Sequence, residues 1–130
     1  MDTVESSKDT WPATAASVPL VRAFVSAYLG PRAPADLVDG VLVIASELAT
    51  NAVEHAGTPF TVTVECSSAG VTVQVRDGSS LAPARRSPDP TADGGRGLIV
   101  VDALSGSWGV RAETDGGKSV WARCPAASPS

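Results

Sequence analysis

The stretch SELATNAVEHA, residues 46–56, sets Glu47 and Asn51 four positions apart. On a helix this spacing places a carboxylate and a carboxamide on one face, one turn from each other. Asparagine is a poor helix-interior residue, and its amide needs partners if it is buried. Two readings fit the pair. It is a solvated polar face, or it is a set of oxygen donors for a hard cation such as Mg²⁺, which keeps waters and substrate phosphates in the rest of its octahedron. Glu54 and His55 follow on nearby positions, while Ile44, Leu48 and Ala52 mark an apolar stripe on a different side.

Two further places carry chemistry. VQVRD (73–77) ends in Asp77, where an alternating pattern breaks before Gly78. A carboxylate there either caps a turn or accepts a hydrogen bond from an exocyclic amine such as that of adenine. In DGGRGLIVV (93–101), Gly95 and Gly97 flank Arg96 just before an apolar run. Alone, this reads as a glycine-rich helix entry. Beside a cation site it also reads as backbone amides and a helix dipole facing a phosphate, at a distance only glycine permits. Neither GxxxxGK[ST] nor a GxGxxG inside a βαβ unit is present.

The elements that must position these residues follow from periodicity. A short extended piece near Thr10–Thr14 leads to Ser17, the expected N-cap with Pro19 in the first turn, and Leu20, Val21, Phe24, Val25 and Tyr28 then recur at helical spacing until Gly30-Pro31. A second helix should run from about Pro34 to His55, its core side being Leu37, Val41, Ile44, Leu48 and Ala52. FTVTVEC (60–66) and VTVQVRD (71–77), joined by SSAG, predict a hairpin. The stretch 78–93 is a proline-bearing loop with Arg85 and Arg86 at a solvated tip. A third helix opens at the glycines, and SWGVRAE and KSVWARC form two strands around DGG. The order β-α-α-β-β-loop-α-β-β predicts an α+β two-layer sandwich: a mixed, mainly antiparallel sheet with about three helices on one face.

Composition narrows the function classes. At 130 residues, 43% hydrophobic and 18% charged, the chain reads as one globular domain. A net charge of −4 argues against nucleic acid or an acidic membrane as a partner. No apolar run approaches the ~18–20 residues of a membrane span. The acidic start MDTVESSKDT is unlike a signal peptide, so a cytoplasmic protein with Cys66 and Cys124 as free thiols is expected. One histidine argues against a zinc site. Residues 1–9 and 125–130 are expected as flexible tails around a domain at 10–124.

ELATNAVEHA, VRDGSS, DGGRGLIVVDAL and GGKSVW, in that order and spacing, resemble the Bergerat-fold (GHKL, histidine kinase-like) ATP-binding domains. Within them, the chain is most similar to the bacterial anti-sigma factor serine kinases of the RsbW/SpoIIAB type, over roughly residues 18–124. The resemblance implies ATP and Mg²⁺ as cofactors. It implies Glu47 as general base, Asn51 as Mg²⁺ ligand and Asp77, with Gly78 beside it, as reader of the adenine amine. Gly95, Arg96, Gly97 and Leu98 would meet the phosphates. Ser119 stands where the family often has threonine, whose hydroxyl helps bind adenine, and His55, where relatives often carry histidine, would be structural or support a neighbouring site residue rather than act as a general base. The implied activity is phosphorylation of a STAS-domain anti-sigma antagonist, with a sigma factor as a second partner and a homodimer as the common assembly. The superfamily's DxGxG reads here as Asp77-Gly78-Ser79-Ser80. That departure leaves a second hypothesis open, a nucleotide-binding or nucleotide-free module that regulates by partner binding alone. A detached sensor-kinase domain fits less well, because no phosphoacceptor histidine helix precedes the motifs.

Overall fold

The computed structural model describes residues 4–79, 100–102 and 104–126. Strand β1 (Glu5–Trp11) is followed by helices α1 (Ser17–Leu29) and α2 (Ala35–Asn51) and a π-helical turn at Ala52–Ala56. Strands β2 (Phe60–Ser67), β3 (Gly70–Asp77), β4 (Ser107–Ala112) and β5 (Lys118–Pro125) complete the order. Residues 100–102 and 104 are helical, with the Ser105 amide donating to Val101 O at 2.9 Å. The five strands form one sheet, ordered β1-β2-β3-β5-β4, and every pair is antiparallel. The expected α+β two-layer sandwich is therefore observed.

Alternation decides which face of the sheet the helices cover. Val62 and Val64 of β2, Val71, Val73 and Val75 of β3, and Val120, Ala122 and Cys124 of β5 are buried on one face. Val21, Val25 and Leu29 of α1 and Val41, Ile44, Ala45, Leu48 and Ala49 of α2 close over them. The other face carries Thr63, Thr72, Gln74, Arg111, Trp121 and Arg123, which line an open groove of about 370 Å³. Both cysteines are free and buried, and burial pushes the Cys124 thiol up.

Several sequence expectations change. The N-terminal tail expected over 1–9 is shortened, because Glu5–Trp11 pairs with β2 in the register Glu5↔Cys66 to Trp11↔Phe60. Trp11 anchors that edge strand through ring contacts with Phe24 and Phe60. At the other end β5 reaches Pro125, and the Ala126 amide donates to Ala69 O at 2.9 Å, so the expected tail at 125–130 also loses its first residues. Leu20 is 55% exposed and Leu29 fully buried, so α1 is rotated from the expected stripe. Ser17 does not cap α1; its hydroxyl donates to Pro12 O at 2.8 Å.

Candidate functional site

Helix α2 does not run unbroken to His55. It ends at Asn51, and the next five residues form a π-helical turn closed by Gly57 at φ 67°. Such a turn widens the helix by one residue and re-aims the side chains around it, and π segments occur frequently at functional sites. Leu48, Asn51, Ala52 and His55, at spacings of three, four and seven residues along the helical path, line one small cavity. The expected separation of the polar row from the apolar stripe therefore fails at Asn51, which is buried against the sheet. The Asn51 Nδ2 group is buried with no hydrogen-bond partner. Glu47, one turn earlier, is half-buried, and its carboxylate has no hydrogen-bond or ion-pair partner among the described residues.

The opposite wall of the cavity comes from the sheet. Asp77 continues the inward-facing series Val71, Val73, Val75, so its carboxylate points to the helix side. It lies between Phe60 of β2 and Lys118 of β5 in the strand register. The Lys118 ammonium donates to Asp77 Oδ1 at 3.0 Å, and the two side chains are only 8% and 3% exposed. The Ser79 amide donates to the same Oδ1 at 2.8 Å, an Asx turn, while the Gly78 amide donates to Thr58 Oγ1 at 2.8 Å. The turn-capping reading of Asp77 is observed, and the same carboxylate lines the small cavity. Gly117 lets β5 start this close, since a Cβ there would lie 2.2 Å from Asp77 O.

Ser119 is not part of this wall. With Val120, Ala122 and Cys124 facing the helices, the strand's alternation turns Ser119 to the open face. Its hydroxyl donates to Glu113 Oε1 at 2.6 Å. That hydrogen bond is the main reason the Glu113 carboxyl is held below its ordinary range, with Arg76 and Arg111 adding to it. Ser119, expected on the adenine side, thus points away from Asp77, and the β5 side chain beside that carboxylate is Lys118. Lys118 is the residue sequence reasoning missed. The signal was available in the parity of KSVWARC, where the apolar even positions 120, 122 and 124 put 118 on the inner face. Gly95, Arg96, Gly97 and Leu98, with Arg85 and Arg86, lie outside the described residues.

A family model for the histidine kinase-like ATPase domain matches residues 11–124. The chain belongs to that family. The ATPase domain is also similar to a solved structure, the RsbU and RsbW domains of Rv1364c from Mycobacterium tuberculosis, with a TM-score of 0.68 at 20% identity. That match covers 96% of this chain, which spans about a third (33%) of the length of the other. At such identity the likeness shows the fold alone. No curated protein sequence matches the chain significantly. No helix among the described residues is long and apolar enough to cross a membrane.

Membership implies ATP, and two observations test whether the residues suit it. The buried Asn51 Nδ2 lacks a partner and shares its cavity with a buried carboxylate. An amide offers N–H to a phosphate or, turned over, its oxygen to a cation. The unpaired N–H therefore suits a ligand oxygen in this cavity. The space is small: the cavity between Asn51, His55, Asp77 and Lys118 measures about 10 Å³, room for a single water. A base reaches the Asp77–Lys118 pair only if the side chains around it part.

Proposed function

We propose that this ATPase domain is an anti-sigma-factor-type protein serine/threonine kinase, which uses Mg-ATP to phosphorylate a STAS-domain anti-sigma antagonist. The observation that carries the reading is the orphaned Asn51 Nδ2, buried in the same cavity as Asp77 and one turn along α2 from Glu47, whose carboxylate has no partner among the described residues. The family match and the RsbW-containing structural neighbour support it.

Each residue has a role in that reading. Asn51 holds the metal through its amide oxygen, and Asp77 accepts a hydrogen bond from the adenine amine. Gly95, Arg96, Gly97 and Leu98 face the phosphates. The Glu47 carboxylate takes the proton of the partner's serine hydroxyl, a general-base role that needs a free carboxylate within hydrogen-bond reach. The bound nucleotide supplies the phosphoryl group and its metal the charge neutralisation, so the protein's share is mainly positioning. A sigma factor as second partner and a homodimer belong to the same proposal.

One observation favours a second reading, regulation by partner binding without transfer: the cavity beside Asp77 is too small for a base as it stands. Incubating the protein and a cognate STAS antagonist with γ-labelled Mg-ATP separates the two. Serine labelling that falls by two orders of magnitude or more (about 10²) in Glu47→Ala supports the kinase. Absence of labelling in both proteins overturns it.

A further inference from the structure

The helices pack on one face of the sheet, and no described element covers the other. Its side chains form rows that cross the strands. In one row Glu65 of β2 pairs with Thr72 of β3, which pairs with Arg123 of β5. In the next, Thr63, Gln74 and Trp121 stand in the same order. Both rows line the groove of about 370 Å³, with β3 between its β2 and β5 sides. Glu65 and Arg123 are exposed, and neither has a hydrogen-bond or ion-pair partner among the described residues. Two strand spacings, roughly 10 Å, hold them apart.

We propose that this open face is the interface of a homodimer, two copies packed face to face about a two-fold axis along β3. Such an axis exchanges the two sides of the groove. It sets Glu65 against the partner's Arg123, and Arg123 against the partner's Glu65. In the next row the small Thr63 faces the partner's Trp121. Charge and size are thus complementary under one operation, as an isologous interface requires. An axis across the strands would instead stack β2 on β2 and leave both charges unpaired. The outer strands add no conflict, since Lys8 of β1 then faces the partner's Gly109 and Thr10 the partner's Arg111. Arg76 meets its own copy near the axis, but Asp115 at 2.8 Å and Glu113 at 3.8 Å already neutralise it. Packed sheets keep their strands within ~30° of each other, which preserves contacts this close to the axis. Five strands of up to eight residues give a face of roughly 600 Å² before side-chain relief is counted. That approaches the ~800 Å² per partner of a standard interface. The kinase reading carries a homodimer without a face for it; this pairing supplies the face and needs no nucleotide.

The test is sedimentation velocity on the full chain over a concentration series. Wild type should dimerise reversibly, and added salt should weaken the dimer. Glu65→Arg and Arg123→Glu should each weaken it at least about a hundredfold, about tenfold for each of two like-charge contacts. Mixed in equal amounts, the two variants should form a heterodimer, because every contact then pairs an arginine with a glutamate. The chain carrying both substitutions should dimerise like wild type. Recovery in the mixture cannot come from misfolded chains, so that arm is decisive whatever either substitution does to stability. Monomeric wild type overturns the inference, as do single reversals that dimerise like wild type. Reversals that dissociate the dimer without recovery in the mixture overturn it too. None of these outcomes depends on serine labelling, so the dimer face and the kinase reading fail separately.

Discussion

Replacing Asn51 by leucine should stabilise the protein while abolishing nucleotide binding. The Nδ2 group is buried with no hydrogen-bond partner, and leaving a polar group desolvated and unpaired costs about 1–3 kcal/mol. Leucine has the same branch at Cγ, and the neighbouring cavity of about 10 Å³ takes up part of its extra volume. It is also a better helix former than asparagine, by a few tenths of a kcal/mol, roughly 0.4. The Asn51→Leu protein should therefore gain about 1–3 kcal/mol in urea denaturation, or roughly 4 °C in Tm per kcal/mol for a domain of this size. Asn51→Ala is the control, since it removes the amide but leaves a void, and it should gain less than leucine. The same Asn51→Leu protein should show no heat on titration with Mg-ADP. A loss of stability above about 1 kcal/mol in both variants would mean that the amide is satisfied in the folded protein. The argument that the site keeps an unpaired group for a ligand would then fail.

Two other predictions follow from the same geometry. The Glu113 carboxyl is held below its ordinary value of 4.5, chiefly by the Ser119 hydroxyl, and that of Asp115 below 3.8, chiefly by the Gly117 amide. Groups depressed in the folded state stabilise it above their unfolded pKa, and the contribution is lost as pH falls through the folded values. Urea midpoints should therefore drop as the solution is acidified below about pH 4.5. Ser119→Ala should flatten that acid limb while leaving ADP affinity unchanged, and weaker ADP binding would restore Ser119 to the base site. Gly40 lies within α2, and a Cβ added there meets nothing within 4 Å. Gly40→Ala should accordingly raise stability by about 1 kcal/mol in thermal melts, and a decrease would mean that the space next to Gly40 is filled.

The sequence by itself determined the elements and their order. Period-two alternation in 60–66 and 71–77 marked the central hairpin, and 3.6-residue spacing marked the core of α2, because both patterns are local consequences of which side chains face the interior. Glu47, Asn51 and Asp77 were legible for the same reason, as polar residues at positions the pattern makes informative. What tertiary structure decided was how they meet. Asn51 meets the cavity because α2 packs this face on the sheet, and no local propensity announces the extra residue of the π-helical turn that follows it. The bond between Lys118 and Asp77 joins residues 41 positions apart. It exists because β5 pairs beside β3 in one register, and a slip of one residue would send Ser119 inward and Lys118 to solvent. Register is a property of the assembled sheet, so the identity of the group that faces Asp77 was settled only when the strands came together.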